Sequence, residues 1–187
     1  MLDKPNKTAL VIIDVQQGIF NKKTKVYREY ELLNNLNALI DGFHSNSVAV
    51  FFIRHTNKSS LIKDSDDWQI HSDLHFQEND IFINKVHSSA FQENILKNYL
   101  TELGIKHIVI AGLVTNGCVK AACLDARKIG YEVTLASNGH SSFHKNAENL
   151  INECNSKLSD EGIKVQPIQD ILRGLVIFMQ RLKEVTE

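Results

Sequence analysis

The stretch His107-Ile108-Val109-Ile110-Ala111-Gly112-Leu113-Val114-Thr115-Asn116-Gly117-Cys118-Val119 decides how this chain folds. It opens with a short run of mostly branched apolar residues, the composition of a strand buried on both faces. A glycine and a turn follow. From Cys118 to Ile129 the pattern reads as a helix, which stops before Gly130. A second apolar run, Glu132 to Ala136, comes directly after it. Strand, helix and strand within about thirty residues make a parallel crossover unit.

The alternation continues outward in both directions. Thr8 to Asp14, Val48 to Ile53 and Asp80 to Asn84 read as earlier strands, and Ile163 to Gln166 as a later one. Tyr27 to Phe43 places Leu32, Leu33, Leu36, Leu39 and Ile40 on one helical stripe. Ala90 to Leu103 does the same with Ile95, Leu96, Tyr99 and Leu103. Phe143 to Leu158 and Ile168 to Val185 complete the helices. The expected fold class is α/β, a three-layer α/β/α sandwich around a mainly parallel, about six-stranded sheet. No Gly/Ser linker divides the 187 residues, so a single domain over 1–187 is expected.

Composition narrows the function. Hydrophobic residues at 43% and charged residues at 23% exclude a disordered, collagenous or coiled-coil chain. A net charge of -1 gives no basic excess for nucleic acid or an anionic membrane. No apolar run approaches the roughly 20 residues of a membrane helix. The segment Met1 to Lys7 is polar and lacks a signal peptide's apolar core, so a cytoplasmic protein is expected. Three cysteines, Cys118, Cys123 and Cys154, are an odd number and suggest no disulfide framework.

In sheets of this kind, ligands sit beyond the C-terminal strand ends. Asp14, the long loop from His55 to Gln77, Lys85 and the Leu113 to Cys118 turn all follow strands, so they share that edge. A cysteine at a helix N-terminus faces unpaired N–H groups and a dipole that favour its thiolate. A buried, inert cysteine is the alternative for Cys118. A carboxylate, a cation and a thiol at one edge provide a base, a positioning charge and a nucleophile, as acyl transfer requires.

Three segments carry a resemblance, in order and with matching spacing. They are Ala9-Leu10-Val11-Ile12-Ile13-Asp14-Val15-Gln16, then Asn84-Lys85 with Ser89-Ala90-Phe91, then Gly112 to Val119 continued by Asp125-Ala126-Arg127-Lys128-Ile129-Gly130-Tyr131. The chain resembles the isochorismatase-like cysteine hydrolases, the nicotinamidase-related group. The resemblance implies a catalytic triad of Asp14 as general base and later acid, Lys85 holding the carboxylate, and Cys118 as nucleophile forming a thioester. It implies a cis Leu113–Val114 bond, with the Val114 and Cys118 N–H groups as oxyanion hole. It also implies a small amide substrate, no organic cofactor, and a homodimer or homotetramer.

The sequence departs from the nicotinamidase pattern after the second strand. Ile53-Arg54-His55-Thr56-Asn57 lacks the Asp-x-His metal motif, so no metal is expected, and His71 and His75 are read as solvated loop residues. Asn138 stands where the family often has aspartate, which either leaves the pocket less acidic or alters a loop bond. Phe20, His55, Trp68 and His87 are candidates for the substrate pocket, and His140 also follows a strand. Phe91, Cys123 and Cys154 read as packing residues, and Asp64, Asp66 and Asp67 as solvated. The apolar segment Ile171 to Met179 packs on its own sheet or on a second subunit. The expected activity is cysteine-dependent hydrolysis of a C–N bond in a small amide. The alternatives are a nicotinamidase with an atypical metal site and a non-catalytic binding protein on the same fold.

Overall fold

The structure is a computed structural model and describes residues 7–186, with the side chains of Lys7 and of residues 178–186 left out of the description. Residues 1–6 of the segment read above as polar, and the side chains of Lys7, Phe178 and Met179, therefore lie outside the description. The strands are β1 (Lys7–Ile13), β2 (Ala49–His55), β3 (Ile81–Lys85), β4 (Ile105–Leu113), β5 (Glu132–Ser141) and β6 (Lys164–Gln166). The helices are α1 (Gln17–Phe20), α2 (Glu29–Ser45), α3 (Asn94–Glu102), α4 (Lys120–Lys128), α5 (Ala147–Asp160) and α6 (Ile168–Thr186). The strands form one sheet in the order β3-β2-β1-β4-β5-β6. Every pairing is parallel, as the crossover pattern requires.

β1 lies centrally, between β2 and β4, and Ala9 through Ile13 are wholly buried. Alternate side chains serve opposite cores. Leu10 and Ile12 pack with Leu36, Leu39, Ile40 and Phe43 of α2 and with Ile168 and Ile171 of α6. Ala9, Val11 and Ile13 pack with Leu96 and Leu100 of α3, Ala122 and Cys123 of α4, and Cys154 and Leu158 of α5. A strand covered on both faces must be apolar throughout, which is why its sequence shows a run and no alternation.

The helix stripes need one correction. On α3, Leu96 and Leu100 are buried, whereas Ile95, Tyr99 and Leu103 are exposed. An i, i+4 pair suffices for so short a helix, and Tyr99 instead lays its ring edge-on to Phe51, with centroids 6.4 Å apart. α6 turns Ile171 and Leu175 into its own core and leaves Val176 and Ile177 exposed. Cys123 and Cys154 are buried and Phe91 is packed in the second core, as the sequence reading has it. The short α1 and the 3-10 turn Asp66–Trp68 escaped that reading, because three or four residues carry no measurable period. Among the described residues no helix is long and apolar enough to cross a membrane.

Two backbone positions set the edge where β1 and β4 end. Gly112 has φ +119, and a Cβ there would stand 2.2 Å from the Ile13 carbonyl oxygen. Only glycine lets β4 pass β1 at this point. Directly after that contact partner, Asp14 itself turns left-handed, with φ 52, a conformation aspartate tolerates better than most residues. Gly130 also has positive φ, but nothing lies within 4 Å of its absent Cβ. Gly112→Ala is expected to cost more than about 3 kcal/mol, from strain plus backbone overlap, whereas Gly130→Ala costs only the conformational part, roughly 1–2 kcal/mol. Urea unfolding of the two variants checks this. Equal losses would contradict the close approach at Gly112.

Candidate active site

Three strand ends meet at the C-terminal edge of the sheet. Asp14 follows β1, and its N–H donates to the Ile53 carbonyl at 2.9 Å. Lys85 is the last residue of β3, in register with His55, and its carbonyl accepts the Thr56 N–H at 2.8 Å. β4 ends at Leu113, the Leu113–Val114 peptide bond is cis, and the chain enters a tight helical turn over Thr115–Val119. The Val114 carbonyl accepts N–H bonds from both Gly117 (3.0 Å) and Val119 (3.3 Å). Gly117, with φ -116 and ψ -111, breaks the helical path within that turn. Regular α-helix therefore starts at Lys120, two residues after Cys118, later than the sequence pattern predicts.

These ends bring Asp14, Lys85 and Cys118 together. Lys85 is buried, and its ammonium has three protons to place. It donates to Asp14 Oδ2 at 2.7 Å, to the His87 carbonyl at 3.2 Å and to Cys118 Sγ at 3.3 Å. Asp14 is equally buried, and its other oxygen, Oδ1, has no partner of hydrogen-bond geometry. Burial raises the Asp14 carboxyl above the ordinary carboxylate range, against the opposing pull of Lys85 and of the Cys118 thiol. Burial also pushes the Cys118 thiol up to about 11, and the Asp14 charge adds to the rise while Lys85 opposes it. Of the two readings of Cys118, helix-end thiolate and buried thiol, the surroundings favour the protonated thiol, since desolvation and the neighbouring carboxylate outweigh the lysine.

The long loop after β2 is tied to the site by Gln16. Its side-chain amide donates to the carbonyls of His55 (3.0 Å) and Trp68 (2.8 Å) and accepts the His55 N–H at 2.7 Å. The Gln17 N–H bonds Gln69 O, and the His71 N–H bonds Val15 O, each at 2.9 Å. The sequence shows only that Gln16 stands just past a strand end; its full burial, which obliges the amide to find partners, is visible only in the fold.

The other candidates separate. The His55 ring lies within the electrostatic reach of Asp14 and Lys85, and burial, then Lys85, lowers its pKa. His87 offers Lys85 its carbonyl, while its own ring is exposed, 4.0 Å from Glu93. Phe20 and Trp68 are buried in the α2-side core; the Trp68 indole N–H donates to Thr56 Oγ1 at 2.9 Å, and the Arg54 guanidinium lies 3.9 Å over its ring. His71 is buried, 4.4 Å from the Phe20 ring centroid, which corrects its reading as a solvated residue, whereas His75 is exposed and bonded to Asp41 at 3.0 Å. Asn138 Oδ1 accepts the Ile168 N–H at 3.0 Å at the start of α6, a bond that an aspartate oxygen would accept as well. Among the described residues no group of three or more His, Cys, Asp or Glu side chains is placed to hold a metal ion.

His140 does not follow its strand but lies within it, because β5 continues to Ser141, and it is buried. Its Nδ1 is 2.8 Å from Thr115 Oγ1, and its Nε2 is 2.9 Å from Asn155 Oδ1. Asn155 in turn donates through Nδ2 to the Ser137 carbonyl at 3.2 Å.

Residues 8–155 match the family model of the isochorismatase domain. The chain belongs to the isochorismatase family. Nicotinamidase 3 of Arabidopsis thaliana is 27% identical over 153 residues, 73% of this chain and 74% of that protein. The ureidoacrylate amidohydrolase RutB of Variovorax paradoxus (strain S110) is 32% identical over 71 residues, 38% of this chain and 28% of that protein. A crystal structure of an isochorismatase family protein superposes with TM-score 0.80 at 29% identity, covering 86% of this chain and 98% of the other. The fold is thus that of a hydrolase family with a nicotinamidase and an amidohydrolase among its members.

Two titrations test the site's electrostatics. With the Cys118 thiol near 11, its alkylation by iodoacetamide is expected to rise about twentyfold between pH 9 and 10.5, against about twofold for an unshifted thiol. A plateau by pH 9 would contradict the burial. Burial lowers His140 to about 4 from 6.5. The unfolded chain therefore binds the extra proton first, and stability is lost as pH falls from about 6.5 towards 4. The loss amounts to roughly 3 kcal/mol. His140→Gln is expected to flatten this slope in urea unfolding. An unchanged slope would place the acid sensitivity elsewhere.

Proposed function

We propose that this chain is a cysteine-dependent hydrolase acting on a C–N bond of a small amide through a thioester on Cys118. The observation that carries the reading is the Lys85 ammonium, which bonds the Asp14 carboxylate at 2.7 Å and the Cys118 sulfur at 3.3 Å within one buried site. A base, a fixed positive charge and a nucleophile in mutual reach are what acyl transfer needs. The amidohydrolase and nicotinamidase relatives support the choice of a C–N bond.

The protonated thiol dictates the order of events. Sγ attacks the substrate carbonyl carbon as Asp14 takes the thiol proton, because a free thiolate is disfavoured beside the carboxylate. Burial makes Asp14 a stronger base than an exposed aspartate. The carbonyl oxygen becomes an oxyanion, with the backbone N–H groups of Val114 and Cys118 as its donors. The C–N bond then breaks, the leaving nitrogen takes the proton from Asp14, and ammonia or an amine departs. Asp14, again ionised, withdraws a proton from water, whose oxygen attacks the thioester. The acid leaves, and the proton returns to sulfur. Lys85 holds the carboxylate in place throughout and balances its charge. No organic cofactor enters these steps.

Cys118→Ala, Asp14→Ala and Lys85→Ala are each expected to lower ammonia release by at least about a thousandfold, read on a panel of small amides and ureido acids that includes nicotinamide. Circular dichroism keeps loss of chemistry apart from loss of fold. A Cys118→Ala protein with wild-type turnover would overturn the proposal.

A further inference from the structure

From the buried Thr115–His140–Asn155 chain we infer that His140 is a positioning residue, holding the Cys118 turn in the geometry that the proposed hydrolysis uses. The inference rests on that reading for its rate consequence, but its structural content stands apart from the substrate.

The strands supply the juxtaposition. β4 and β5 pair residue for residue up to Ile110 and Leu135, and the next pairing is Gly112 with His140. β5, still paired with β6 at Ala136, therefore leaves the β4 ladder and makes an excursion over Ser137 to Gly139 before that pairing resumes. The excursion is anchored at Asn138, whose carbonyl accepts from the Asn35 side chain at 2.9 Å and whose Oδ1 accepts the Ile168 N–H. Its return delivers the His140 ring beneath the turn that starts just past Gly112. Thr115, three residues before Cys118, is fully buried and meets that ring.

Every proton in the chain is assigned by the network. Asn155 Nδ2 donates to Ser137 O, so Asn155 Oδ1 is an acceptor. His140 Nε2 then carries the hydrogen, and in the neutral ring that burial favours Nδ1 is bare and the Thr115 hydroxyl donates to it. A hydrogen bond fixes direction as well as distance, which apolar packing does not. The Cys154 thiol, beside Asn155 on α5, adds a second tie, 3.6 Å from the Thr115 carbonyl. The turn that presents Val114 and Cys118 is thus tied to α5 through His140 and Cys154, while Lys85 bonds its sulfur. Neither His140 nor Asn155 touches the Asp14–Lys85–Cys118 cluster in any hydrogen bond of the structure. Their influence runs through the turn.

The test compares His140→Leu, which removes both bonds, with His140→Gln, which offers one acceptor and one donor. Thr115→Val, near-isosteric, serves if His140→Leu does not fold. Three quantities are read: kcat and KM for ammonia release, and Cys118 alkylation by iodoacetamide at pH 9, followed by mass spectrometry with buried Cys123 as control. For His140→Leu or Thr115→Val, kcat is expected to fall about 10- to 100-fold with KM within about twofold. Cys118 alkylation should rise at least about threefold as the turn loosens, with Cys123 unreacted. His140→Gln should stay within about threefold of wild type in all three. Wild-type values in His140→Leu would overturn the inference, as would equal impairment in the glutamine variant or a parallel rise at Cys123. If Cys118→Ala turns out fully active, the hydrolase reading fails alone, and the alkylation comparison still decides whether His140 sets the turn.

Discussion

A buried ammonium with three protons and three acceptors organises this molecule's functional edge. Lys85 donates to Asp14, to the His87 carbonyl and to Cys118. A lysine at this depth is costly unless every proton is placed, and the costs of breaking such a pair exceed those of never building it. Each acceptor comes from a different segment: the end of β1, the chain just past β3, and the turn past β4. The ammonium therefore acts as a local template on which three separate chain segments agree.

The sheet makes that agreement achievable. In a parallel sheet all strands end on the same side, and the residues just past those ends converge without special loops. Here the convergence is tightened by backbone conformations that few residues accept. Gly112 lets β4 approach the Ile13 carbonyl, and Asp14 turns left-handed directly after β1. Gln16 then closes the loop after β2 over the same edge with three hydrogen bonds. Each device is small, but together they leave the carboxylate, ammonium and thiol little freedom to drift apart.

What could be read from the sequence follows from which interactions are local. The six strands were legible because a two-faced strand must be an apolar run, and β1 is the plainest case. Asp14, Lys85 and Cys118 were legible as strand-end residues in a known spacing, and the family resemblance holds. The charge state of Cys118 was not legible. Helix-end logic favours a thiolate, but the opposing burial and the charges of Asp14 and Lys85 come from residues far away in sequence, Lys85 33 positions from Cys118 and 71 from Asp14. The task of His140 was hidden for the same reason. Its partners, Thr115 and Asn155, are 25 and 15 residues distant, and only the excursion in β5 brings it under the turn. The exposed Tyr99 and Ile95 show the converse error, a local stripe read as core where two leucines were enough.

The neutral thiol follows from the charge of the site as a whole. With sulfur protonated, Asp14 and Lys85 cancel, and the buried cluster carries no net charge. A thiolate would leave one negative charge in excess, in surroundings where desolvation already raises both acidic groups. On the proposed reaction path this excess never forms. As sulfur bonds to carbon, its proton passes to Asp14, and the negative charge that Asp14 gives up reappears on the substrate oxygen. Lys85 remains balanced before and after, and the charge has only moved from the carboxylate to the backbone donors of the turn. The orientation of that turn then matters more than the acidity of the thiol. A cysteine hydrolase built this way would gain rate by fixing where the oxyanion's donors point, which is the task the geometry beneath Thr115 is suited to perform.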